Sequence, residues 1–241
     1  MTLLPANPTL ENLTPEIVAK TIDHALLKPE MTVDEVIAGC KLCDKYGTAS
    51  VCVKPCDVKV AAEALKDSDV DVGTVIGFPH GIAVTEVKVL EALRAIDDGA
   101  VELDMVINVG HLRSGRIDEV RDEIRSVTAA AKTRLPACCV KVILECSLLS
   151  ADEIATASRL AEEAGADYVK TSTGFGPGGA RVDDLRVMRQ ATNPDLVRVK
   201  ASGGIRSLDD LIACLQAGAD RIGTSATAAI IEDMRTRKSK N

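Results

Sequence analysis

Eight short runs of strand-forming residues alternate with amphipathic segments along this 241-residue chain, and no other pattern in it narrows the possible folds as far. At three places a predicted helix ends in glycine, at Gly99, Gly165 and Gly218, and the next strand follows. Glycine readily adopts the left-handed conformation that ends a helix. Repeated junctions of this kind indicate βα units and parallel strands. The predicted strands cover residues 21–23, 49–54, 72–78, 101–108, 139–146, 168–173, 197–201 and 220–224.

Eight such units in a chain of this length match one (β/α)8 barrel, and we predict a single domain over residues 1–241. No linker divides it, and an open doubly wound sheet is the alternative. Residues 1–20 form an N-terminal extension with a short helix that begins at Thr14-Pro15, because a capping residue precedes proline there. The basic segment 233–241 is expected to be a flexible tail. Capping boxes predict further helix starts at Thr32, Ser150 and Ser207.

Charge and composition argue against several classes of partner. The formal net charge is −7, and the chain has two Tyr, two Phe and no Trp, so we expect no nucleic-acid or anionic-membrane binding. No apolar run could span a bilayer and residues 1–5 lack a signal-peptide pattern, so we expect a cytoplasmic protein with reduced cysteines. Cys40 and Cys43 form a C-x-x-C inside a helical pattern, but no second ligand pair completes a zinc site. We therefore expect no metal and no other cofactor.

Two lysines stand where a barrel enzyme carries its catalytic groups, Lys170 at the end of the sixth predicted strand and Lys200 at the end of the seventh. Strand interiors seldom carry lysine, because burying an unpaired ammonium is costly. Neighbouring strands are about 4.8 Å apart, so the two ammonium groups could lie within several ångströms and repel each other. That repulsion would keep Lys170 neutral and nucleophilic, which indicates Schiff-base chemistry. The alternative is that both lysines are paired with carboxylates and serve packing.

Carboxylates on other strands are candidates for moving protons and holding charges. Glu102 and Asp104 are two positions apart, so both face the same side of one strand. Lys141 on the next strand is the expected partner of Glu102, whereas Asp104 is the expected general acid and base, directly or through a water. Asp23, at the end of the first predicted strand, is expected to hold a lysine or a hydroxyl in place. Cys52 is expected to line the same pocket.

The last two predicted strands lead into a candidate phosphate site. Gly203 and Gly204 follow the seventh strand, and Gly223 and Ser225 lie where the eighth leads into a helix. Backbone amides at glycine turns and helix starts attract phosphate, and barrels often bind it in these two loops. Residues 174–179 match G-x-G-x-x-G, but no acidic residue ends the next strand as a dinucleotide site requires. We interpret that segment as a mobile loop over the pocket.

Together these residues resemble the deoxyribose-phosphate aldolase family of class I aldolases. The matching segments run in order along nearly the whole chain, and other lysine aldolases do not share the segments around both Lys170 and Lys200. The segments are IDHALL (22–27), VCVKP (51–55), GFPHG (77–81), ELDMVIN (102–108), VKTSTG (169–174) and VKASGGIR (199–206).

This resemblance implies a (β/α)8 barrel that reversibly cleaves 2-deoxy-D-ribose 5-phosphate to D-glyceraldehyde 3-phosphate and acetaldehyde. Lys170 would be the Schiff-base lysine, Lys200 the lysine that tunes it, and Asp104 the aspartate that moves protons. Because a protonated imine withdraws electrons, the carbon–carbon bond would break to an enamine without a metal. The residues around the sugar and phosphate would be Thr173, Gly174, Gly203, Gly204, Gly223 and Ser225.

Three positions depart from the family pattern. Ala25 stands where many relatives have threonine, which removes a hydroxyl contact. Phe175 stands where some relatives have lysine, which weakens any inference about charge at the phosphate. The sequence closes on Asn241 where some relatives have a tyrosine that reaches the pocket, so we expect no proton step assisted by the tail.

Two other functions stay open at this point. One is another lysine-dependent aldolase or transaldolase acting on a phosphorylated sugar, and the other is a catalytically silent barrel that binds sugar phosphate. In each case a homo-oligomer, a dimer or a tetramer, is expected.

Overall fold

The computed structural model describes residues 4–240, in which eight parallel strands close into a barrel in sequence order. Strand β8 closes the sheet by pairing Ile222 with Ile22 and Gly223 with Asp23. The closed sheet confirms the predicted (β/α)8 barrel and contradicts the open doubly wound alternative. The strands are β1 (Ile22–Leu26), β2 (Ser50–Val53), β3 (Asp71–Ile76), β4 (Glu102–Val106), β5 (Cys139–Ile143), β6 (Tyr168–Lys170), β7 (Arg198–Ser202) and β8 (Arg221–Thr224).

Helices surround the barrel, and the predicted caps open them. The Thr14 hydroxyl accepts a hydrogen bond from the amide of Ile17, and complete capping boxes start at Thr32, Ser150 and Ser207. The helices are α1 (Pro15–Ala19), α2 (Val33–Tyr46), α3 (Val58–Ala64), α4 (Thr85–Asp97), α5 (Val109–Arg113), α6 (Ile117–Arg134), α7 (Ala151–Glu163), α8 (Val182–Ala191), α9 (Leu208–Gln216) and α10 (Thr227–Lys238). No helix within residues 4–240 is long and apolar enough to cross a membrane.

Two strand boundaries differ from the prediction in ways that matter for the site. Strand β1 continues to Leu26, because Ala25 and Leu26 pair with Cys52 and Val53 of β2. Strand β7 continues past Lys200 to Ser202, whose amide bonds to the hydroxyl of Thr171 at 3.0 Å. Asp23 and Lys200 therefore lie inside their strands instead of at the ends.

The C-terminal segment is more ordered than its composition indicated. Helix α10 includes residues 233–238, which we expected to be part of a flexible tail. Met234 is buried in the core, and Arg237 bonds to Asp209 at 2.6 Å and to Asp233 at 3.0 Å. The expectation about Asn241, and part of the one about residues 1–5, falls outside the described residues.

The strands place apolar residues outward and charged residues inward. On β4 the outward side chains of Leu103 and Met105 join the core beneath the helices, whereas Glu102 and Asp104 point into the barrel. This alternation follows from the period of two along a strand. On α2, Cys40 and Cys43 are buried free thiols as predicted, and burial raises their pKa to about 11 and about 12. The barrel interior is thus the part of the fold that concentrates charge.

Candidate active site

The predicted site residues meet in a cavity of about 700 Å³ at the carboxyl ends of the strands. Asp104 does not line the cavity, because it is buried directly behind the two lysines. The other predicted site residues all line it: Asp23, Cys52, Lys170, Thr173, Gly174, Lys200, Gly203, Gly204, Gly223 and Ser225.

Lys170 and Lys200 face each other across adjacent strands. They are register partners on β6 and β7, and both are almost fully buried. Each Nζ donates to the same oxygen, Oδ2 of Asp104, at 2.7 Å. The two nitrogens therefore lie less than twice 2.7 Å apart. This is close enough for the two ammonium groups to repel each other, as expected from the sequence. Both lysines are nevertheless paired with a carboxylate, which the sequence treated as the alternative to catalysis.

These contacts are part of a larger network. Lys141 donates to Glu102 at 2.6 Å, which confirms the predicted pair, and it also reaches Asp104 at 2.9 Å. Arg221, which the sequence did not single out, donates to Asp23 and to Glu102. We call this network the barrel cluster, and its members are Asp23, Glu102, Asp104, Lys141, Lys170, Lys200 and Arg221.

Charge balance in the barrel cluster singles out one amine. Among residues 4–240, the ion pairs of the cluster join three carboxylates to four cationic side chains. Lys170 contacts one carboxylate, Asp104, and shares it with Lys141 and Lys200. Burial lowers the pKa of Lys170, the pair with Asp104 opposes that change, and the nearby charge of Lys200 adds to the lowering. Lys170 is thus the member of the cluster that loses its proton most readily.

The neighbours of Lys170 keep their charges. Burial acts against the charged form of Lys200, but Asp104 and Asp23 raise its pKa above the usual value. Asp104 is buried too, yet Lys141, Lys170 and Lys200 hold the pKa of its carboxyl well below the usual range. An ionised Asp104 can accept a proton and has none to donate until it has done so. From the sequence we expected the charge of Lys200 to lower the pKa of Lys170. In the structure, burial is the larger cause of that lowering.

Asp23 and Cys52 lie deeper than the mouth of the cavity. Asp23 is the second residue of β1 and is 1% exposed, and one of its oxygens lies 2.5 Å from the ammonium of Lys200. Its other oxygen accepts from Arg221. The two oxygens of Asp23 are thus divided between Lys200 and Arg221. Cys52 lines the cavity, and burial raises the pKa of its thiol to about 11.

The candidate phosphate end of the cavity is formed by the loops after β7 and β8. Gly203 and Gly204 have φ of +87° and +80°, which a residue with a side chain rarely adopts. At Gly223, which lies inside β8, a Cβ would stand 2.8 Å from the side chain of Ser202. Glycine therefore keeps this wall of the cavity open. Arg206, which sequence reasoning did not select, lines the rim beside the glycine pair and is exposed.

The loop after β6 is hydrogen-bonded to Glu145, a residue that we did not select from the sequence. Glu145 follows β5 with φ of 56° and ψ of 60°, a left-handed conformation that costs about 1–2 kcal/mol for a residue with a side chain. Its carboxylate accepts hydrogen bonds from the amide and the hydroxyl of Thr173. Further along, the rings of Phe175 and Phe78 meet edge to face, with centroids 5.3 Å apart. The mouth of the cavity therefore joins the loops after β3, β5 and β6.

Histidine also reaches the cavity. His24 lines the wall, its Nδ1 lies 2.8 Å from the hydroxyl of Thr227, and burial lowers its pKa to about 4. The ring is therefore neutral at physiological pH. Within residues 4–240, no group of three His, Cys, Asp or Glu side chains is arranged to hold a metal ion.

Comparison with known proteins gives a consistent result across the barrel. A model of the DeoC/LacD family of aldolases matches residues 15–231. A deoxyribose-phosphate aldolase of Caldanaerobacter subterraneus subsp. tengcongensis is 50% identical over 218 residues, which cover 90% of this chain and 94% of that protein. Deoxyribose-phosphate aldolase 1 of Bacillus licheniformis is 51% identical over 217 residues, covering 90% and 96%. The tetrameric deoxyribose phosphate aldolase of Aeropyrum pernix has a TM-score of 0.87 at 34% identity and covers 95% of each chain.

Proposed function

This chain belongs to the DeoC/LacD family of aldolases, and we propose that it reversibly cleaves 2-deoxy-D-ribose 5-phosphate to D-glyceraldehyde 3-phosphate and acetaldehyde. The observation that carries the mechanism is the placement of Lys170: it is almost fully buried, and its Nζ and that of Lys200 both lie 2.7 Å from Oδ2 of Asp104. Burial and the charge of Lys200 lower the pKa of Lys170, whereas the pKa of each other cation in the cluster is raised. An amine that has lost its proton can attack a carbonyl, whereas an ammonium cannot.

The reaction begins when the uncharged Lys170 attacks C1 of the open-chain sugar. The resulting carbinolamine takes up a proton from solvent and loses water, which gives a protonated imine. Its positive charge draws in the electron pair of the C2–C3 bond as that bond breaks. The proton of the C3 hydroxyl passes to Asp104 through a water, because Asp104 itself does not line the cavity, and D-glyceraldehyde 3-phosphate departs. The remaining enamine takes up at C2 the proton that Asp104 accepted. Water then hydrolyses the protonated imine, which releases acetaldehyde, the free amine and the proton taken up at the start. Lys200 stays charged throughout and limits the pull of Asp104 on Lys170.

The other end of the cavity binds the phosphate group in this proposal. The amides of Gly203, Gly204, Gly223 and Ser225 contact its oxygens, and the guanidinium of Arg206 at the rim supplies a positive charge. Thr173 and Gly174 contact the sugar between the phosphate and the imine. Phe175 then supplies packing where some relatives have a charge.

The decisive experiment is reduction with borohydride in the presence of acetaldehyde, followed by peptide mass spectrometry. A reduced two-carbon adduct is expected on Lys170, and Lys170→Leu should abolish both the adduct and the aldolase activity. A silent sugar-phosphate-binding barrel would yield no adduct. Another lysine aldolase would form one but would prefer a donor such as dihydroxyacetone phosphate, so rates with that donor and with acetaldehyde separate the two.

We further propose that the enzyme acts in the cytoplasm, in the breakdown of deoxynucleosides, as a homodimer or homotetramer that does not bind nucleic acid. The tetrameric relative supports an assembly, and the net charge of −7 disfavours a polyanionic partner. Light scattering of the purified protein measures the assembly directly.

A further inference from the structure

Thr173 lines the cavity three residues after Lys170, and its hydroxyl is already committed on two sides. It donates its hydrogen to Oε2 of Glu145 at 2.5 Å and accepts a hydrogen bond from the amide of Phe175 at 3.0 Å. A hydroxyl group has one hydrogen and two acceptor positions. One acceptor position therefore remains on Thr173, and no donor.

The orientation of Glu145 is fixed by contacts around it. The carboxylate is buried, and the amide of Thr173 donates to the same oxygen at 3.2 Å. Backbone bonds of 2.9 Å clamp the residue on both sides, from Leu144 to Lys170 and from Cys146 to Thr171. An amide donor on this oxygen identifies it as an acceptor, so the hydroxyl must be the donor in its contact with Glu145.

The loop also closes tightly over this carboxylate. A Cβ at Gly176 would lie 2.8 Å from the carboxyl carbon of Glu145 and 2.9 and 3.0 Å from its oxygens. The side chain of Glu145 is therefore held between strand β5 and the loop, and it cannot turn away from Thr173 without moving that loop. The left-handed backbone of Glu145 is what aims the carboxylate at this point.

We propose that Glu145 is a positioning residue that fixes Thr173 as a hydrogen-bond acceptor toward the substrate. The substrate group that meets Thr173 is then a donor. In the proposed reaction, on which this inference rests, C1 forms the imine, the C3 hydroxyl becomes a carbonyl and C5 carries the phosphate. The C4 hydroxyl is the donor that remains, and it corresponds to the C2 hydroxyl of the acceptor aldehyde. The enzyme therefore selects acceptors with a hydroxyl beside the carbonyl.

The test compares three acceptors in the addition of acetaldehyde: D-glyceraldehyde 3-phosphate, its 2-deoxy analogue and its 2-deoxy-2-fluoro analogue. Fluorine cannot donate, and in the wild type it would meet a lone pair of Thr173. The ratio of kcat/KM for the fluoro analogue to that for the deoxy analogue should be about threefold to fivefold lower in the wild type than in Thr173→Val, which has no hydroxyl. Taking this ratio within each variant removes the difference in reactivity between the two aldehydes.

Glu145 is tested by two substitutions. Glu145→Leu frees the hydrogen of Thr173, so the ratio should return to the Thr173→Val value or exceed it. Glu145→Gln keeps an acceptor oxygen for the amide of Thr173, so it should keep the wild-type ratio even if its rate is lower. Glu163→Leu, at the exposed end of α7, is the matched control and should keep both the ratio and the rate.

The outcomes separate this inference from the proposed function. If wild-type protein forms no borohydride adduct with acetaldehyde, the proposed function fails and this inference with it. If the adduct forms but the wild-type ratio is not below that of Thr173→Val, Thr173 is free to donate and the inference alone is overturned. An unchanged ratio in folded Glu145→Leu would overturn the role of Glu145.

Discussion

The reactivity of Lys170 depends on which charges surround it more than on any single neighbour. Its ammonium would compete with Lys141 and Lys200 for one carboxylate in a site that is almost fully buried. Pairing with Asp104 thus does not make Lys170 an inert structural lysine, because the same carboxylate already serves two other cations. Burial and the nearby charge of Lys200 together lower the pKa of this amine.

The charge of Lys200 is tested by Lys200→Leu. Removing a cation beside Lys170 stabilises its protonated form, so its pKa rises and imine formation needs a higher pH. The rate of borohydride-trapped imine formation is measured against pH, with Lys59→Leu on the exposed face of α3 as control. An unchanged profile in a folded variant would contradict the electrostatic role.

At the scale of elements, capping residues set the helix starts and a period of two sets the strand alternation, and both are local signals in the sequence. The contacts that join a helix to a distant loop are not local. Lys88 of α4 is fully buried and donates to the carbonyls of Gly81 and Val106, each at 2.8 Å. It also pairs with Glu123 of α6 at 2.8 Å. One lysine therefore ties the loop after β3, which carries Phe78 to the cavity mouth, to β4 and to α6.

Lys88→Met should destabilise the protein by about 3–5 kcal/mol, because it leaves a buried carboxylate without its cation. The double variant Lys88→Met/Glu123→Leu should recover much of that loss, since both charges are then gone. Urea denaturation gives the free energies of unfolding, with Lys59→Met as the surface control. Additive losses in the two single variants would show that the pair is not coupled.

At the scale of the whole molecule, the ion pairs inside the barrel make the free energy of unfolding depend on pH in the acid range. The pKa of Asp23 is lowered by Arg221, Lys200 and Lys141, which together outweigh its burial. A carboxyl whose pKa is lower in the folded state adds stability above its unfolded pKa of about 3.9, and that stability is lost as the pH falls toward the folded value.

Asp23→Asn is expected to lower the free energy of unfolding by about 3–5 kcal/mol at neutral pH, because Lys200 and Arg221 lose a buried partner. The difference from the wild type should narrow as the pH falls below about 4, where the wild-type carboxylate itself begins to lose stability. Urea denaturation across this range measures it. A difference that stays constant with pH would mean that the charge of Asp23 contributes little.

The number and order of the strands, the helix caps and the close approach of Lys170 to Lys200 could be predicted from the sequence, because alternation, capping and a strand-borne lysine are local signals. The pairing of Glu102 with Lys141 followed from a period of two. Family resemblance supplied the substrate, which no local pattern contains.

Other features were decided only by the closed barrel. Arg221, Asp23 and Lys200 lie on strands that are distant in sequence or adjacent only after closure, so their shared contacts have no local trace. The left-handed conformation of Glu145 falls on a residue type that rarely adopts it, and the burial of Met234 packs α10 against the core. The sequence specifies which groups enter the barrel, but a pKa and a hydrogen-bond direction depend on distances between strands, and folding alone sets those distances.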